Sequence, residues 1–205
     1  MIEAGFVPMY LAALAVVYLT PGPDMALVMA TAARSGARAG FFSAAGIAVA
    51  RFAHVMVSGL GLAALLAAQP LLLGAVRTAG AVYLAWLAWK LWSAPADRDG
   101  PQDADASPRG AVLRGFATNL LNPKALLFCG MLLPQFASPG RGPLLPQFVW
   151  LGVLLVCMGL MFDTAYVLAA SGLARRVSLP AKFGRARNMA MGSVFLALAA
   201  RLAAG

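Results

Sequence analysis

The chain has 205 residues, of which 61% are hydrophobic and only 11% are charged, with a mean hydropathy of +0.80. A soluble domain carries about 25% charged residues, so this composition excludes an ordinary water-soluble fold and indicates a membrane protein. The formal net charge of +9 is not gathered on one basic face. Lys and Arg fall between apolar runs, which argues for membrane topology and against a nucleic-acid partner.

In chain order, the N-terminal "MIEAGF" lacks the basic region of a cleavable signal, so the segment that follows is expected to remain as a membrane helix. Six hydrophobic segments are long enough to span: 5–33, 40–67, 71–93, 111–134, 145–173 and 188–204. A hydrocarbon core of ~30 Å needs about 20 apolar residues per helix, so the first, second and fifth predict tilt, kinks or extra turns beyond the core. Residues 95–110, "PADRDGPQDADASPRG", read as a flexible loop, and 174–187, "ARRVSLPAKFGRAR", as a second, basic one. One set of connections carries Arg34, Arg38, Lys90, Arg98, Arg109, Arg114, Arg175, Arg176, Lys182, Arg185 and Arg187; the opposite set carries Arg77, Arg141 and Arg201. The excess makes loops 34–39, 90–114 and 174–187 cytoplasmic and puts both termini outside. Cys129 and Cys157 lie in apolar sequence without CxxC spacing and read as buried free thiols.

Four charges belong to no loop: Asp24, Arg51, Lys124 and Asp163. Counted from Arg34, Arg38, Arg114 and Arg175 at ~1.5 Å per residue, they lie roughly 15–20 Å inside, in one layer near mid-membrane. A charge at that depth costs ~3 kcal/mol or more, so the four are expected to turn inward as pairs or around a wet cavity. Two helices are also interrupted there. Pro21 and Pro23 remove two backbone donors and Gly22 permits a sharp turn, while Asn122 and Pro123 repeat the pattern. Pro23 and Pro123 are each suited to begin a half-helix whose free amides favour an anion. Unwound backbone is tolerated at this depth only where protein or a cavity covers it.

The halves also resemble each other. "GPDMALVM" (22–29) aligns with "NPKALLFC" (122–129), and "GAVYLAWLA" (80–88) with "GSVFLALAA" (192–200); the latter register sets Arg51 opposite Asp163. Three helices per half, an odd number, require the second half to enter from the other side. The reading is an all-α integral membrane protein: one transmembrane domain over 1–205, comprising repeat 1 (1–94), a cytoplasmic loop (95–110) and an inverted repeat 2 (111–205). In such folds solutes bind at the repeat interface near the midplane. A solute carrying both an amine and a carboxylate suits these residues, with Asp24 for the ammonium or a coupling proton and Lys124 or Arg51 for the carboxylate. His54, three residues after Arg51, is either a proton-relay member or a core histidine bonded to a hydroxyl or carbonyl. Asn119 completes the candidate set. A lone His with these carboxylates makes no metal site, no P-loop or dinucleotide turn is present, and no nucleophile–base set supports an enzyme, so neither metal nor cofactor is expected.

The stretches "TPGPDMALVMATAARSGARAGFFSAAGIAVA" (20–50) and "NLLNPKALLFCGMLLPQF" (119–136) resemble the LysE/RhtB family of bacterial amino-acid exporters, through its PGP signature and basic turn and its NPK motif with a downstream LPQF. Length, six spans and the Gly-x-x-aromatic-Leu segments match as well. The resemblance implies secondary export of small amino acids or related metabolites across the bacterial inner membrane, driven by proton antiport. By position it makes Pro21, Gly22, Pro23, Asn122, Pro123 and Lys124 the motif residues. Asp24 stands where many members carry Asn, and Arg51 is unusual for the second helix. The competing reading from the residues is a non-transporting scaffold or assembly subunit whose charges lock helix packing. Oligomeric state, including a homodimer, stays open.

Overall fold

The computed structural model describes residues 6–61, 69–93, 107–176 and 184–204, and among them the chain is all helix, without strands. Helix α1 runs Phe6–Leu19 and stops where Pro21 and Pro23 withhold their amide protons. Helix α2, Pro23–Gly59, opens on Pro23 after an extended Gly22. Its 37 residues would measure about 55 Å if straight, far more than a bilayer core. It does not run straight. Gly36 adopts φ 83°, ψ 169°, a conformation that glycine reaches without a Cβ penalty. Beyond it the chain doubles back, so that a Cβ at Gly40 would lie 2.9 Å from the Cβ of Ala32. This reversal is the basic turn expected at 34–39.

Helix α3 is Pro70–Trp92 and α4 is Pro108–Leu120, the latter capped by the Ser107 hydroxyl, which accepts from the Gly110 amide at 3.0 Å. Helix α5, Pro123–Leu127, continues through a π-helical turn, Phe128–Leu132, into a 3₁₀ turn, Leu133–Phe136. The expected span 111–134 is therefore two segments bent by 54° at Leu121–Asn122. Helix α6 is Leu144–Arg176 and α7 is Gly184–Ala204. Pro23–Gly59 and Leu144–Ala174 are each long and apolar enough to cross a membrane, and the bent α4–α5 pair forms a third, broken candidate. Most of loop 95–110, and 177–183 of the basic loop, lie outside the described residues.

Three apolar clusters join the helices. Tyr10, Leu14, Val55, Phe128, Phe136 and Leu151 bind α1, the second limb of α2, α5 with its extension, and α6. Leu27, Leu84, Leu87 and Phe195 bind the first limb of α2 to α3 and α7. Val28, Ala32, Ile47 and Val167 bind both limbs of α2 to α6. The outer surface stays apolar, with Val16, Val49, Trp89, Trp150 and Met161 exposed, as a lipid-facing surface requires. Cys157 belongs to that surface, contrary to its expected burial; only Cys129 is buried.

In lipid, apolar burial gives no net drive for helix association, so close packing must hold the helices together. The crossing of α2 with α4 supplies it: a Cβ on Gly46 would overlap the Val112 carbonyl, and one on Gly115 would overlap the Ser43 carbonyl. Both obstacles are backbone and cannot rotate away. Gly46→Ala should therefore lower stability by about 1–3 kcal/mol, measurable by thermal unfolding in detergent.

Two further contacts are images of each other. Gly40 packs on Val167 and Gly152 packs on Val55, and both residues shift by 112 positions between the two pairs, the separation that also divides Arg51 from Asp163 and Gly80 from Gly192.

Candidate functional site

The two interruptions meet. A cavity of about 50 Å³ is bordered by Tyr18, Thr20 and Gly22 at the first break, Asn119, Asn122 and Lys124 at the second, and Asp24, Arg51 and Asp163 between them. At ~10–15 Å³ per water it has room for roughly three to five waters. Asp24, Arg51, Lys124 and Asp163, the four charges that belong to no loop, all border it.

Arg51 and Asp163 form a two-pronged pair, Nη1–Oδ2 2.6 Å and Nη2–Oδ1 3.2 Å, with the residues 4% and 2% exposed. Gly159 makes room for this guanidinium, since a Cβ there would overlap Nη1. The ring of Tyr18 lies 4.9 Å beneath the guanidinium carbon, adding a cation–π contact. Arg51 Nη2 also sits 3.7 Å from Asp24 Oδ2. Asp24 accepts from Asn119 Nδ2 at 2.7 Å and from Asn122 Nδ2 at 3.1 Å, so both side-chain amides of the second break serve the carboxylate at the first. It also lies in the first turn of α2, where the helix dipole favours an anion.

Lys124 reaches the other way. Its Nζ donates to the carbonyls of Val17 at 2.5 Å and Thr20 at 2.8 Å, at the C-terminal end of α1. In an unbroken helix the amide of residue 21 would serve the Val17 carbonyl, but Pro21 has none. The second break repeats the logic. Pro123 cannot serve the Asn119 carbonyl, which instead accepts from the Asn122 amide at 3.0 Å and faces His54 Nε2 at 3.2 Å. A carbonyl only accepts, so this contact requires the tautomer with its proton on Nε2. Each break is thus completed by a side chain from elsewhere in the fold.

Of the expected residues, Gly22, Asp24, Arg51, Asn119, Asn122, Lys124 and Asp163 border the cavity. Pro21, Pro23 and Pro123 shape its backbone from outside, with Pro23 and Pro123 opening their helices as expected. His54 is buried beside it as a histidine bonded to a carbonyl. Replacing His54 with Leu should cost about 1 kcal/mol of stability in detergent and leave solute transport in place. Loss of transport with stability intact would instead make it a relay.

Two residues escaped the sequence reading. Tyr18 donates its hydroxyl to the Leu155 carbonyl at 2.8 Å, and Tyr166 donates to the Tyr18 carbonyl at 2.8 Å. Both border the cavity and tie α1 to α6. Their signal was a hydroxyl within hydrocarbon, which needs a partner. Among the described residues no group of His, Cys, Asp and Glu has the geometry of a metal site.

The family model described as LysE type translocator matches residues 15–205. The chain belongs to this family. This LysE-type protein is 33% identical to a leucine efflux protein of Klebsiella pneumoniae over 95% of its own length and 92% of the relative's. It is 32% identical to a homoserine/homoserine lactone efflux protein of Salmonella typhimurium over 95% and 94% of the two chains. A Vibrio cholerae relative at 29% identity, covering 91% of each chain, is named only as a membrane protein. No solved structure matches. Family membership marks the LysE-type protein as a bacterial membrane translocator, and its named relatives are efflux proteins, not enzymes.

Proposed function

We propose that this protein exports small neutral amino acids, or similar zwitterions, from the cytoplasm across the inner membrane in exchange for protons. The observation that carries the reading is the meeting of two broken helices at one cavity whose ionised groups, two carboxylates and two cations, sum to zero. A zwitterion adds no net charge to such a site, whereas a cation or an anion alone would unbalance it in a medium of low dielectric. Arg51 is committed to Asp163. That leaves Asp24, which retains the longer 3.7 Å contact, as the carboxylate for proton exchange, and Lys124 as the cation for a solute carboxylate.

Six spans arranged as two inverted repeats, 1–94 and 111–205 around the cytoplasmic loop 95–110, with both termini outside, give alternating access by rocking one repeat against the other. The mirrored Gly40–Val167 and Gly152–Val55 contacts support that symmetry. So does the packing of α3 on α7, the last helix of each half. The names of the relatives support export over a static scaffold.

The test is efflux from proteoliposomes loaded with labelled leucine, homoserine and a panel of other amino acids. An acidic exterior should accelerate efflux of at least one neutral amino acid, and a protonophore should remove the acceleration. Failure of every amino acid in a folded, correctly inserted protein would overturn the proposal.

A further inference from the structure

The break at residues 20–22 presents more than a gap. Helix α1 ends with carbonyls that have no intrahelical donor, and the partial negative charge of the helix terminus lies on them. Val17 and Thr20 offer theirs to Lys124, and Tyr18 offers its own to Tyr166. The Lys124 side chain passes Gly22, where a Cβ would stand 3.8 Å from Nζ. Asn119 also borders this cavity, and its Oδ1 is buried and has no hydrogen-bond partner among the described residues. The amide cannot simply turn over to relieve it, because Asp24 would then face an oxygen in place of Nδ2.

A primary ammonium is the group these acceptors fit. Two of its three N–H donors match the Val17 and Thr20 carbonyls, and its charge is stabilised by the helix terminus and by Asp24. Lys124 brings such a group on a flexible four-carbon stem that can withdraw.

We propose that the Val17 and Thr20 carbonyls form a primary-ammonium site, that Lys124 occupies it while the cavity is empty, and that the α-ammonium of the solute displaces Lys124, which then pairs with the solute's carboxylate. The inference rests on the exporter reading, whose solute it binds end by end. One ammonium replaces another, and the released one meets the only new negative charge, so the site stays balanced throughout the exchange. Without a carboxylate to receive it, Lys124 has no reason to leave. An amine alone therefore competes poorly in the unaltered protein.

Titration of the purified protein with leucine and with 3-methylbutylamine, which is leucine without its carboxylate, tests this. In Lys124→Ala the amine should bind about tenfold tighter than in the unaltered protein, since the resident competitor is gone. Leucine should lose its advantage over the amine. Adding Pro21→Ala to Lys124→Ala restores the amide that the Val17 carbonyl lacks and should reverse the gain. Should Lys124→Ala fail to fold, Pro21→Ala alone should weaken leucine binding severalfold, and unchanged binding there would overturn the site. Amine binding that is no tighter in a folded Lys124→Ala protein overturns it as well, even if the unaltered protein exports amino acids. A tighter amine in Lys124→Ala upholds the site even if efflux is never seen, in which case the exporter reading falls alone.

Discussion

Replacing Arg51 with Met should destabilise the protein by about 3–5 kcal/mol, because it leaves the Asp163 carboxylate buried without its counter-charge. Asp163 is 2% exposed and its two oxygens bond only the Arg51 guanidinium among the described hydrogen bonds. Asp163→Leu should cost a similar amount for the opposite reason. The double variant, Arg51→Met with Asp163→Leu, should recover most of the loss, since a buried pair replaced by apolar groups is often neutral. Unfolding in mixed micelles measures all three. Non-additivity is the signature: two severe single variants and a mild double one. If Arg51→Met alone leaves the unfolding midpoint unchanged, water reaches Asp163 and the carboxylate does not depend on its buried pairing with Arg51. The double variant also separates structure from transport, because it restores packing without restoring the charges.

Asp24→Asn should leave the fold nearly intact yet reduce proton-driven efflux by about a hundredfold. The side chain is 16% exposed, so it is less dry than Asp163, and Asn retains an acceptor for one of the two amides that now serve the carboxylate. What it removes is the negative charge facing Arg51 and the capacity to carry a proton. A hundredfold corresponds to about 2.7 kcal/mol. The prediction includes a qualitative part. Exchange of labelled for unlabelled solute at equal pH on both sides should survive better than net efflux driven by the gradient, because exchange needs no net proton movement. Equal losses in both modes would mean that Asp24 binds solute and carries no proton.

The helix breaks were legible in the sequence because their cause is local. A proline lacks an amide proton wherever it stands, and two prolines about a glycine cannot sit in a straight helix. The gathering of four charges at one cavity was legible for a related reason: hydrocarbon makes each one costly, so position along an apolar run carries information. The register of the two halves set Arg51 opposite Asp163 as equivalent positions, but that the two bond each other was not readable from it. Nor was the destination of Lys124. Its partners are the backbone carbonyls of Val17 and Thr20, and no residue type announces an acceptor that every residue possesses. The π turn after Leu127 was hidden for the same reason, since its apolar residues fit an ordinary helix equally well. Cys157 was misplaced because a helix apolar on all sides has no periodicity to separate its lipid face from its protein face.

Taken together, the interruptions act as a cross-linked pair. Asn119 and Asn122 of the second half hold Asp24 of the first, and Lys124 of the second holds the end of α1. Opening the cavity must break some of these contacts, and a solute with complementary charges compensates for them. In the proposed exporter, binding and opening would draw on the same hydrogen bonds.

Cys129 gives this account a native reporter, because it borders the cavity and is 2% exposed, whereas Cys157 faces outward. The decisive measurement is modification of Cys129 by a small, charged, membrane-impermeant thiol reagent in a Cys157→Ser background, applied to right-side-out and to inside-out vesicles. The account predicts labelling from both faces and slower labelling when the exported amino acid is present. Absence of labelling from either face in a protein that still exports its solute would contradict it, because the solute's path would then bypass the cavity between the two breaks.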